Sequence, residues 1–187
     1  MKKHLFLTLA ISFGMIVSAS AQQPTFLKGD NVVSLGVGLG GYLGTGNWTG
    51  TGVKKTPLLT ASFDHCIIDN LFDEKSSIGV GGLIGYKSIK WVDYWKSTYF
   101  VLGARGTFHY ALVDKLDTYA GLHLGYDIAN SKWIGSGSSH GHTTYGASGF
   151  SYGFFAGARY YFTDAIAVFA ELGYGYSVLN VGVSFKF

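Results

Sequence analysis

One cysteine, two prolines and few charges set the first limits on this chain of 187 residues. A single cysteine, Cys66, excludes an internal disulfide framework and reads as a small buried or wall residue, not a reactive thiol. Two prolines beside 28 glycines exclude collagen and argue against a disordered linker. Charged residues make up 13% of the chain and form no basic run, so a nucleic-acid footprint is missing. After the first twenty or so residues no apolar run is long enough to cross a bilayer as a helix. No helical pattern is long enough to serve as a crossover between parallel strands. Glycine and aromatic residues remain, the latter at 17%. That mixture suits β structure with one bulky face and one face that needs room.

The first segment reads as a targeting sequence. Lys2, Lys3 and His4 precede an apolar stretch, Leu5 to Val17, and Ala19-Ser20-Ala21 supplies a small-residue cleavage site. The expected division is a signal peptide over 1–21 and a single mature domain over 22–187. Loss of Lys2 and Lys3 takes the formal net charge from +3 to +1. Gln22, not cysteine, follows the cleavage site, so no lipid anchor is expected there.

The mature segment alternates with period 2. In Asn31–Gly40, Val33, Leu35, Val37 and Leu39 oppose Ser34, Gly36, Gly38 and Gly40. Similar runs follow at Pro57–Ile67, Ser77–Lys87, Thr98–Tyr110, Asp117–Ala129 and Phe150–Phe162, with two more inside Ala165–Phe187. Eight strands of about 9–13 residues match the length of a tilted membrane-crossing strand. The connections Gly41–Thr56, Ser88–Ser97 and Asn130–Gly149 are expected as long loops at one end, with mostly shorter turns at the other.

Charge decides which face is inside. Asp64, Arg105, Asp127, Arg159, Glu171 and Lys186 all fall on the small, glycine-rich face, and the opposite face carries no charge in mid-strand. A soluble cup for apolar ligands would not be lined this way. A membrane barrel with a polar lumen would, since a charge facing lipid costs about 2–4 kcal/mol at the midplane. Aromatic residues cluster at strand ends: Tyr86, Tyr126, Phe150, Tyr152 and Tyr174 at one, Phe63, Phe108, Tyr110, Tyr160, Phe162 and Phe187 at the other. Two such belts are expected at two membrane interfaces. The fold class is therefore all-β, an eight-stranded antiparallel up-and-down transmembrane β-barrel.

The segments GFFAGARYYFTDAIAVFAELGYGY, Gly153 to Tyr176, and VGVSFKF, Val181 to Phe187, carry a family resemblance. The chain from about Asn31 onward resembles the small eight-stranded outer-membrane β-barrels, which include the transmembrane domain of outer-membrane protein A. The resemblance implies an outer-membrane location in a Gram-negative bacterium. It also implies that Phe185 and Phe187 act as the signal read by the outer-membrane assembly machinery. The sequence stops at Phe187, so no wall-binding domain and no cell-wall tether are expected. Both termini are expected on the periplasmic side.

Candidate sites follow from the faces. Arg105, Asp127, Arg159, Glu171 and Lys186 are expected to form an interior polar network that plugs the lumen; a narrow ion path is the alternative. His140 and His142 lack a third metal ligand nearby, so no metal or other cofactor is expected. The same histidines beside Thr144 or Ser148 raise a lipid A-modifying esterase or acyltransferase, but a triad acid is missing. Trp48, Trp91, Trp95 and Trp133 are expected in the loops as anchors in the outer leaflet, or as a contact surface. His109 and His123 read as satisfied interior polar groups. The function expected is non-enzymatic, structural or surface-interacting, in a monomer. Its partners would be outer-membrane lipid, lipopolysaccharide and the assembly machinery.

Overall fold

A computed structural model describes residues 24–43, 52–91, 95–134 and 148–187. The expected signal peptide, Trp48, Tyr94, His140, His142 and Thr144 lie outside the described residues. Among the described residues there are nine strands: β1 Asn31–Leu39, β2 Val53–Lys55, β3 Leu58–Asp69, β4 Ser76–Trp91, β5 Trp95–Val113, β6 Leu116–Trp133, β7 Gly149–Tyr161, β8 Ile166–Tyr174 and β9 Leu179–Lys186. All pairings are antiparallel. β1 pairs with β3 and β9, each later strand pairs with the next, and β4 pairs with both β3 and β5. The eight long strands thus form a closed ring, which leaves no unpaired edge.

β2 is the far end of the β3 line. Both pair with the same side of β4, β2 through Lys54↔Lys90 and β3 through Leu59↔Tyr86. Thr56 and Pro57 interrupt them, because proline cannot donate to the ladder. Thr56 bridges the break: its N–H donates to Ser88 O at 2.9 Å, and Ser88 N–H donates to Thr56 Oγ1 at 2.9 Å.

Period 2 sorts the two faces. The outward face of β5 runs Phe100, Leu102, Ala104, Gly106, Phe108, Tyr110, all exposed or half-buried. Ten residue steps at about 3.3 Å and a tilt of about 40° give an apolar band about 25 Å tall, the height of a hydrocarbon core. Aromatic rings pair along its two borders, Tyr126 with Phe150 at 5.4 Å on one and Tyr160 with Phe162 at 5.4 Å on the other.

The chain ends meet at one end of the barrel, where Asn31 and Phe187 exchange backbone hydrogen bonds of 3.0 and 2.9 Å. The turns 70–75, 114–115 and 162–165 lie at this end. Asn70 and Lys115 adopt positive φ there, 52° and 63°. Residues 24–30 fold under the ring. Phe26, 2% exposed, packs with Val32 and Cys66 and stacks on His109 at 4.2 Å.

At the opposite end β4, β5 and β6 run well past the apolar band. The stretches Ser88–Ser97 and Asn130–Gly149 are therefore not wholly loops: pairing continues to Trp91↔Trp95 and Trp95↔Trp133. These three tryptophans share the face that lower down lines the lumen. They are not outward anchors, and Trp95 and Trp133 meet edge to face at 5.4 Å.

Candidate functional site

The inward face converges on one chain of charges. Asp64 on β3 lies between Arg105 on β5 and Arg159 on β7. Arg105 Nε is 2.9 Å from Asp64 Oδ1, an ion pair without hydrogen-bond alignment, while Arg159 Nη2 donates to Asp64 Oδ2. Arg105 Nη2 donates to Glu171 Oε1 on β8 at 2.8 Å, and Arg159 Nη1 donates to Asp117 Oδ2 on β6 at 3.2 Å. None of these five residues is more than 4% exposed. Two guanidiniums thus face three carboxylates in strict alternation, which is how buried charge is tolerated.

Neutral groups complete the cluster. Tyr119 Oη donates to Glu171 Oε1 at 3.0 Å, and Asn180 Nδ2 donates to Glu171 Oε2 at 3.4 Å. The guanidiniums lie over rings, Arg105 over Phe155 at 4.4 Å and Arg159 over Tyr119 at 4.5 Å. Glycine makes room: a Cβ on Gly157 would meet Glu171 Cγ at 2.8 Å and Tyr119 Cζ at 2.9 Å. The network joins six of the eight ring strands across the lumen. Beside it, between His123, Glu171 and Asn180, a space of about 10 Å³ remains, room for about one water.

The structure brings Arg105, Arg159 and Glu171 together and sets Asp127 and Lys186 apart. Asp127 lies nearer the far end and accepts a hydrogen bond from Ser151 Oγ at 3.0 Å. Lys186 lies at the terminal end, 3.8 Å from Asp30 Oδ2, and donates to Thr25 O at 3.1 Å. It does not sit beside Glu171; Asn180 does. Asp64 was placed on the inward face but not in the expected network, and Asp117 and Tyr119 were missing from both. The last two share the inward parity of Asp127, the signal that could have found them. Phe185 faces outward on β9, paired with Val33 and Ile166, and Phe187 is exposed at the ring's end.

The histidines differ. His109 Nδ1 lies 2.8 Å from Asp117 Oδ1 and its Nε2 lies 2.8 Å from Thr107 Oγ1. That order of hydroxyl, imidazole and carboxylate matches an activated nucleophile. Here, though, Thr107 is 4% exposed, and Phe26 and Gly79 crowd its hydroxyl, so no substrate-sized space opens on it. His123, expected to be satisfied, has no hydrogen-bond partner on either ring nitrogen among the described residues; it packs between Phe155 and Tyr176. Among the described residues no three His, Cys, Asp or Glu gather to hold a metal.

No protein-family model and no curated protein matches the chain. Solved structures do. The outer membrane protein OprG of Pseudomonas aeruginosa aligns over 89% of this chain and 99% of its own, with a TM-score of 0.56 and 11% identity. The fold is that of the small outer-membrane β-barrels. The N-terminal barrel domain of Pseudomonas aeruginosa OprF aligns over 86% of this chain and 98% of its own, TM-score 0.53, 14% identity. Ail, the attachment invasion locus protein of Yersinia pestis, covers 86% and 100%, TM-score 0.51, 10% identity. Ail has also been solved in complex with the heparin analogue sucrose octasulfate.

Proposed function

We propose that the chain is a non-enzymatic outer-membrane barrel with a closed lumen, acting in envelope structure or in contacts at the cell surface. The observation that carries this reading is the buried chain Glu171–Arg105–Asp64–Arg159–Asp117, which occupies the space an ion path would need. The outward apolar band, its aromatic borders and the likeness to outer-membrane barrels support a membrane location. The termini then lie on the periplasmic side, where the turns are short, and the extended β4–β5–β6 sheet rises on the outer side. Phe185 and Phe187 serve assembly in this reading.

Fractionation of cells, heat-modifiable migration on gels and planar-bilayer recording test it together. The expected result is a heat-shifted protein in the outer-membrane fraction that gives no stepwise current. A soluble periplasmic protein would end the membrane reading, and steady single-channel steps would end the closed-lumen reading. Unchanged lipid A on deletion of the gene is expected; a changed acylation pattern would favour the enzyme.

A further inference from the structure

The far rim carries a row of four lysines. Lys54 pairs with Lys90, Lys90 with Lys96, and Lys96 with Lys132, across β2, β4, β5 and β6. Directly opposed residues share a face, with Cβ atoms about 5 Å apart. That face is the outward one, because the pairing from Tyr86↔Phe100 to Lys90↔Lys96, and from Phe100↔Ile128 to Lys96↔Lys132, contains no register shift. Like charges opposed across strands destabilise a sheet. No ion pair among the described residues joins any of the four to a carboxylate. A row of this kind favours an anion beside it.

The row's height identifies the anion. Four residue steps separate Lys90 from Tyr86, Lys96 from Phe100 and Lys132 from Ile128. With the strand rise and tilt used above, the lysines stand about 10 Å above the edge of the apolar band. Headgroups occupy that layer. Between band and lysines lies a row of hydrogen-bonding residues, Ser88, Thr98 and Asn130, again in register. Beneath the lysines of β2, β4 and β5 an outward groove of about 440 Å³ is lined by Leu59, Ala61, Ile84, Tyr86, Phe100 and Leu102. On the rest of the ring the outward face tops out at Leu39, Phe150, Tyr174 and Leu179, with no lysine or arginine on it among the described residues.

Resting on the outer-membrane reading, we infer that one side of the rim binds a phosphate-bearing lipid of the outer leaflet, with phosphates on the lysine row and an acyl chain in the groove below. Lysine suits this as a compact charge for phosphate. The groove adds what a soluble polyanion could not use, which favours a lipid over a sulfated glycan.

The test uses the protein in nanodiscs of neutral phosphatidylcholine, titrated with bis-phosphorylated lipid A and read by native mass spectrometry. Wild type is expected to retain lipid A, and K90Q/K96Q/K132Q to bind it roughly 100-fold more weakly. Ala61→Trp, which fills the groove, is expected to weaken retention with the lysines intact. Both variants should keep wild-type heat modifiability in neutral lipid. Equal retention by wild type and the triple variant overturns the proposal, as does binding of sucrose octasulfate at the lysines with no preference for lipid A. A wild-type protein that fails to insert overturns the outer-membrane reading as well, which separates the two failures.

Discussion

Asp64→Asn removes the central charge of the lumen while keeping its shape. The carboxylate lies between two guanidiniums, one at 2.9 Å, with every partner almost fully buried. At an effective dielectric of about 20 and a charge separation of about 4 Å, each pair is worth about 4 kcal/mol. Relief of the carboxylate's own desolvation returns several kcal/mol of that sum. The two guanidiniums would then repel each other through a neutral amide, with only Glu171 and Asp117 to hold them. The expected loss is about 3–5 kcal/mol, the range for breaking a buried pair. Lys186→Met serves as the control. Its ion pair with Asp30 is 3.8 Å long, with side chains 22% and 28% exposed, and should be worth less than about 1 kcal/mol. Urea unfolding in lipid vesicles, followed by tryptophan fluorescence and gel shift, reads both. If Asp64→Asn costs no more than the Lys186 control, the network does not hold the barrel together.

Phe26→Ala should cost about 3–5 kcal/mol in the same assay, since its ring fills the terminal mouth of the lumen against Val32, Cys66 and His109. A near-neutral result would mean the N-terminal segment is not a plug. Gly157→Val should sharply reduce the yield of heat-shifted protein, because its Cβ would press on Glu171 and Tyr119; a normal yield would contradict the tight lumen. In the turn before β4, Asp73 loses some solvent, but hydrogen bonds from Tyr110 Oη and Lys75 N–H outweigh that and hold its carboxyl below its ordinary value of 3.8. The stabilisation is present above pH 3.8 and is lost as pH falls through the lowered pKa, so hydrogen exchange at Lys75, whose N–H donates to that carboxylate, should quicken only on strong acidification. Exchange that already quickens near pH 5 would speak against it.

The barrel was legible because its signal is repeated. Outward Leu35, Leu102, Leu124 and Val183 alternate with small or charged residues, and one parity error would have placed Arg105 or Glu171 in lipid. The signal failed where the surroundings change. Above the apolar band the alternation inverts: Ser88 and Lys90 point outward while Ile89 and Trp91 point inward, so strand reads as loop to a rule that seeks apolar residues outside. The lysine row was hidden for the same reason, because register across four strands is not written in any one of them. Within the lumen, sequence supplied the face but not the height. Asp127 and Lys186 share the inward face with Arg105 yet lie toward opposite ends, whereas Asp117 reaches Arg159 because β6 and β7 set them directly opposite each other.

A nitroxide scan of β5 would read, residue by residue, which face of the barrel meets lipid. Single cysteines from Lys96 to Tyr110, introduced with Cys66 replaced by alanine, would be labelled in lipid vesicles and probed with oxygen and a water-soluble nickel chelate. Strict alternation is expected. Even positions from Phe100 to Tyr110 should be open to oxygen and closed to nickel, most strongly at Ala104 and Gly106. Lys96 should sit at headgroup depth, and odd positions such as Val101 and Arg105 should be shielded from both. Nickel access at Leu102 and Ala104 equal to that of an aqueous label, or the opposite phase of alternation, would contradict it.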